Sequence, residues 1–134
     1  MRVDYAFICD YAEARDKVNA LGIGFDTIFA PQLPARHAHF NLVVQLRFTV
    51  AEVGTKDVTI HLINADGANV TPSINGKLEF KQLPEGMVES VARLNMEFGN
   101  VEFKEYGSYS VRVTVAGQEM VNIPLRIVQP PKTA

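Results

Sequence analysis

Apolar and polar residues alternate one by one along most of this chain, as they do in half-buried β-strands. In HFNLVVQLRFTVAE, Phe40, Leu42, Val44, Leu46, Phe48 and Val50 share one face, and Asn41, Gln45, Arg47 and Thr49 share the other, with Val43 among the polar set. KDVTIHLINADG repeats the pattern with Val58, Ile60 and Leu62 inward, and the glycine-containing EVGTKD between the two predicts a hairpin. Asp66-Gly67 marks a turn, since both residues tolerate positive φ. SINGKLEFKQL places Ile74, Leu78 and Phe80 on one face, although Asn75-Gly76 also suits a tight turn. From about Val91 to Phe98, Leu94, Met96 and Phe98 alternate with Arg93, Asn95 and Glu97; Val88, Val91, Ala92 and Leu94 would also suit a helix, but the neighbouring segments are all β.

The cleanest alternation runs from Tyr106 to Val128. Tyr109, Val111, Val113 and Val115 point one way, AGQE turns at Gly117, and Val121, Ile123, Leu125 and Ile127 return. Pro124 lacks an amide donor and so predicts an edge strand or an outward-facing position. At the other end, VDYAFICDYA and GFDTIFA both read as strands around YAEARDKVNALG. A hairpin turning at Glu13–Asp16 and returning from Lys17 to Ala30, bent at Gly22 and Gly24, fits this order; a short helix over Ala12–Leu21, capped by Gly22, is the alternative. APQLPARHAH, with Pro31 and Pro34, predicts a loop crossing between sheets.

These signals predict one domain over residues 1–128 and a proline-rich tail over 129–134. The fold class expected is all-β: an immunoglobulin-like Greek-key β-sandwich of seven to nine strands with an N-terminal β-hairpin. Gly107-Ser108-Tyr109 resembles the tyrosine corner of such sandwiches, where a tyrosine hydroxyl bonds to backbone just upstream. Tyr106, out of phase across Gly107, is expected to meet solvent. Position 111 is Val and the chain has no tryptophan, so an antibody-type disulfide core is absent.

The order of segments carries a wider resemblance: DYA after an apolar strand, KVNALGIGFDTI, a proline loop, LVVQLRF, VTIHLINADG, then GSYSVRVTVAG and IPLRI. It resembles an uncharacterised family of small bacterial cytosolic β-sandwich proteins of unknown function. The resemblance implies a fold and a bacterial source, and brings no catalytic or binding residues.

A net charge of −2 gives no electrostatic reason to expect nucleic acid or an anionic membrane as partner. No stretch approaches the ~20 apolar residues of a membrane span. The single cysteine, Cys9, cannot form an intrachain disulfide, and the expected compartment is the cytoplasm. In phase with Val3, Tyr5 and Phe7, Cys9 reads as a small buried hydrophobe.

Candidate chemistry is sparse. His37 and His39 form H-x-H, which on an extended strand puts both rings on one face; with His61 they are the candidate ligands of a metal-dependent enzyme. Asp4, Asp10 and Asp26 would form an acidic cluster if the N-terminal strands paired. Arg47, His61, Arg93 and Arg112 would make a basic patch if their strands were neighbours. Tyr5, Tyr11, Tyr106 and Tyr109 are the aromatic candidates for a small-ligand or glycan groove at the loop ends. None of these is a recognised catalytic motif, so the expectation is a non-catalytic binding or accessory domain making protein–protein contacts, with no cofactor and no resident metal.

Overall fold

The computed structural model describes residues 1–131. Its strands are β1 (Arg2–Cys9), β2 (Tyr11–Ala14), β3 (Val18–Leu21), β4 (Thr27–Phe29), β5 (Ala35–Thr49), β6 (Gly54–Asn64), β7 (Ile74–Phe80), β8 (Glu89–Phe103), β9 (Gly107–Val115) and β10 (Gln118–Val128). Among the described residues the only helical piece is a 3-10 turn, Val50–Glu52. One sheet has the order β1-β5-β8, a second β4-β10-β9-β6-β7, and β2 pairs with β3 alone. No helix among the described residues is long and apolar enough to cross a membrane. The tail expected over 129–134 has no regular structure as far as Pro131, and its last three positions lie outside the described residues.

The two larger sheets face each other across one core. Phe40, Leu42, Val44, Leu46 and Phe48 of β5 meet Val58, Ile60 and Leu62 of β6, and Tyr109, Val111, Val113 and Val115 of β9. Each large apolar side chain buried this way contributes about 1.5–3 kcal/mol. Aromatic pairs join the sheets at separate points: Phe48 stacks on Phe80 with ring centroids 4.5 Å apart, and Phe103 meets Tyr109 edge to face at 5.0 Å. The inward sets read from the alternation in β6, β9 and β10 are the buried sets, with Ile123 partly covered.

Several local expectations change. β5 and β6 belong to different sheets, so EVGTKD is not a hairpin loop. The Glu52 carboxylate accepts the Thr49 amide at 3.0 Å and fixes a turn that sends the chain across. Asn75-Gly76 lies inside β7 rather than in a turn. β8 starts at Glu89 and runs on to Phe103, pairing with β5 throughout. β5 begins at Ala35, so only the first part of APQLPARHAH is loop.

The N-terminal hairpin is present, but it is β2 that pairs with β3, in register Tyr11↔Leu21 to Ala14↔Val18. β1 pairs with β5 instead. The predicted return strand to Ala30 is cut in two: Gly22 and Gly24 take φ of 67° and 82° and redirect the chain into β4, which joins β10 in parallel. A helix over Ala12–Leu21 is not formed. β4 covers β10 only at Arg126–Val128, so Pro124 stands where β10 has no strand on its second side, as its missing donor requires.

The β2-β3 hairpin covers the outer face of the β1-β5-β8 sheet. Ala12 packs with Cys9 and Val43, flanked by Tyr5, Phe7, Val18 and Ala20. β5 is therefore buried on both faces rather than half-buried; Asn41 is 4% and Gln45 8% exposed. The register of β1 shifts between Val3 and Tyr5, so Val3 packs against the main core while Tyr5, Phe7 and Cys9 face the hairpin. The bulge breaks the expected phase of Cys9 with Val3.

At the start of β9, the Tyr109 hydroxyl donates to the Glu105 carbonyl at 2.7 Å. Burial pushes the phenol up from its ordinary pKa. Contrary to expectation, the Tyr106 hydroxyl also has a backbone partner, donating to the Ala30 carbonyl at 2.8 Å. Tyr109→Phe and Tyr106→Phe should therefore both lower stability, by about 0.5–1.5 kcal/mol for each lost bond. The larger loss is expected at the more buried Tyr109; urea midpoints of the two variants check this. Gly22→Ala should destabilise by about 1–2 kcal/mol, because a Cβ at this positive φ would also collide with the Asp10 carboxylate. Urea unfolding, with Gly76→Ala in the open part of β7 as the reference, measures it.

Candidate functional site

Across the outer face of the three-stranded sheet, Tyr5 of β1, Gln45 of β5 and Arg93 of β8 lie in one row of paired positions. The Gln45 Oε1 accepts from the Tyr5 hydroxyl at 3.0 Å and from Arg93 Nε at 2.7 Å. Gln45 Nε2 donates to Asp4 at 2.9 Å, and Arg47 closes on the same carboxylate through Nε and Nη2, at 3.1 and 2.7 Å. The Arg47 hydrogen bonds, then that of Gln45, hold the Asp4 carboxyl below the usual carboxylate range. A second polar link ties sheet to hairpin: Asn41 Nδ2 donates to Asn95 Oδ1 at 2.9 Å, and Asn95 Nδ2 to the Ala12 carbonyl at 3.2 Å.

Beside the hairpin this row opens into a groove of about 460 Å³, walled by Lys17 to Ala20 and Ile23 on one side and by Tyr5, Phe7 and Arg93 on the other. The Tyr5 and Phe7 rings stack with centroids 5.8 Å apart. Ile23 is 59% exposed. Arg93 is held in place, since its Nη1 donates to the Asp16 carbonyl at 2.9 Å. Among the described residues neither Lys17 nor Arg93 forms an ion pair, whereas Arg47 is matched to Asp4 and Arg15 to Glu13. The groove thus combines an apolar, aromatic wall with two unneutralised cations, a setting suited to an anionic group carried on an apolar body.

The residues singled out from the sequence are mostly dispersed. His37 and His39 do not share a face. The inward sequence along β5 slips between His37 and Phe40, opposite Asn100, whose φ is 49°. His37 therefore lies against the core-side rings Phe25 and Phe40, both with centroids 5.9 Å away, and its Nε2 is buried without a partner. His39 lies near Tyr11, donates from Nδ1 to the Asp10 carbonyl at 2.8 Å, and faces Glu97 at 3.0 Å. His61 is in the other sheet, beside Asn69. Among the described residues no group of His, Cys, Asp and Glu is disposed to hold a metal.

The expected basic patch divides in the same way. Arg47 and Arg93 lie on the first sheet, while His61 and Arg112 are paired across β6 and β9 on the second, with Arg112 reaching Glu119 at 3.4 Å. Asp4, Asp10 and Asp26 are also apart: Asp4 binds Arg47, Asp10 lies over Gly22, and Asp26 accepts from Thr27. Cys9 is buried, and burial pushes its thiol pKa up, away from the reactive thiolate. Tyr106 and Tyr109 are tied to backbone carbonyls and do not line a shared loop-end groove with Tyr5 and Tyr11.

Lys17, Phe7 and Ile23 were not legible as site residues. The available signal was Val43, an apolar residue among Asn41, Gln45 and Arg47 on the supposedly solvated face of β5. It marks a second layer over that face, and the groove is the margin of that layer.

A family model described as a family of unknown function (DUF6941) matches residues 4–128, and the chain belongs to that family. No curated protein and no solved structure matches the chain.

Burial holds the His37 imidazole below its ordinary pKa, with the Asp10 charge opposing that shift. The unfolded chain takes up this proton near pH 6.5 while the folded protein resists it, so stability falls as pH drops through and below that value. Urea unfolding at pH 7 and pH 5 should show the native protein weaker at pH 5. His37→Leu should flatten that difference while leaving the steeper loss near pH 4 and below, where Asp4 and other carboxylates take up protons.

Proposed function

We propose that this member of a family of unknown function is a non-catalytic, immunoglobulin-like binding domain that receives a protein partner on its hairpin-covered face. Support for the immunoglobulin-like class comes from the strand order β1-β5-β8 against β4-β10-β9-β6-β7, with β4 parallel to β10. The tyrosine corner adds to it: Tyr109, near the start of the penultimate strand, bonds to backbone four residues upstream.

The observation that carries the binding reading is the groove beside β3, where Lys17 and Arg93 face the stacked Tyr5 and Phe7. A rigid cation needs a reason to stay unneutralised, and Arg93 is fixed by Gln45 and Asp16 rather than by a carboxylate. The non-catalytic reading rests on the engagement of the candidate nucleophile and bases: Cys9 packs beneath the hairpin, His37 among phenyl rings, His39 against Glu97 and His61 beside Asn69. A net charge of −2 favours a protein over nucleic acid or an anionic membrane as partner. A bacterial cytoplasm, where a lone buried thiol stays reduced, is the setting this reading assumes.

Isolated from its own cells with a bound partner, the domain should show hydrogen-exchange protection over residues 5–7 and 17–23. Protection confined to the loops at 65–72 and 104–107, or to the β7 edge, would overturn the assignment of the face.

A further inference from the structure

Two strands border the groove, and among the described residues each lacks a hydrogen-bonded strand on one side. β1 is the outer strand of its sheet and β3 pairs only with β2. Along β3, Val18 and Ala20 pack inward while Asn19 and Leu21 point out, and Leu21 is 69% exposed. The side chain of Arg93 and the Tyr5-Phe7 ring stack line the groove together with β3. The groove runs beside the free edge of β3, which suits a chain-like ligand better than a compact one.

Resting on the binding reading above, we infer that the groove takes an extended peptide segment of the partner, laid beside β3, in which an acidic side chain sits next to an aromatic or branched apolar one. Strand addition supplies main-chain hydrogen bonds of low sequence selectivity, and the alternate side chains supply the specificity. The acidic group meets Lys17 and the free Nη2 of Arg93, while its apolar neighbour lies on the Tyr5 and Phe7 rings. Charge complementarity selects the acid. Asp4 is already bound to Arg47, and Asp16 holds Arg93 through its carbonyl rather than its carboxylate. A basic segment would meet both cations unscreened, and a neutral one would leave them unmatched.

Three fluorescent nine-residue peptides test this, identical in Val and Phe positions and carrying Glu, Gln or Lys at the centre. Anisotropy gives affinity, and amide chemical shifts give the site. The Glu peptide should bind with shifts at residues 5–7 and 17–20, about tenfold more tightly than the Gln peptide, with the Lys peptide weaker still. The Lys17 side chain is exposed and forms no ion pair among the described residues, so Lys17→Glu should erase the preference for the Glu over the Lys peptide without altering the urea midpoint. Equal binding of all three peptides at those amides would overturn the acidic preference and leave the binding face standing. Absence of shifts there at millimolar peptide would overturn the peptide-groove inference, while the exchange footprint of the native partner judges the face separately.

Discussion

Strand β5 has to be hidden on both sides, and the rest of the molecule is arranged around that requirement. Its core face carries five large apolar residues that the second sheet covers. Its other face carries Asn41, Val43 and Gln45, which neither solvent nor a second apolar layer would satisfy together. The β2-β3 hairpin meets most of this demand, with alanines over Val43 and backbone carbonyls for Asn95 and Arg93, and leaves the Asn41 Oδ1 without a partner. Gln45 is the junction. One amide joins β1 through Tyr5 and Asp4, and β8 through Arg93, and Arg93 in turn holds the hairpin tip. The groove exists because the hairpin that satisfies the face is too narrow to cover all of it.

Much of this was written in the alternation. Period-two patterns identified the inward residues of β6, β9 and β10, since a strand with one wet face must separate its residues cleanly. Tyr109 was legible for a related reason, as a phenol in phase with three valines needs a bonded hydroxyl. What was illegible depended on partners distant in sequence. Nothing local says that the chain crosses between sheets at Glu52, or that β1 slips register after Val3. The single face expected for His37 and His39 failed because the slip requires both β5 and β8, and Asn100 lies on the other strand. The groove was the least visible feature. Its residues come from β1, β8 and the hairpin, and their shared property, an unmatched positive charge beside two rings, appears only once Gln45 has set them in place.

The same arrangement explains why the titratable residues look unpromising one by one. Titratable groups here are spent on structure: Asp4 on Arg47, His39 on Glu97, and the buried Cys9 on packing. His37 differs, because it places a neutral ring among phenyls and leaves one nitrogen without a bond. That cost sits where the segment leading to β4 meets the core through Phe25. The groove proposed for binding lies along the hairpin's margin, whereas Cys9 and Val43 are packed under it.

The parallel pairing of β4 with β10 joins Thr27 to Arg126, 99 residues apart in the chain. During synthesis from the N-terminus, β4 has no strand to lie against until nearly the whole domain has been made. At about 5–20 residues per second, that interval is on the order of 5–20 s. β1 can pair with β5 much earlier, and the hairpin can close on itself at once, so the N-terminal layer assembles while Thr27–Phe29 waits. The order of translation therefore makes the β4–β10 seam the last part of the sheet to close, and a chain truncated before Arg126 would keep a completed hairpin above a sheet that cannot be finished.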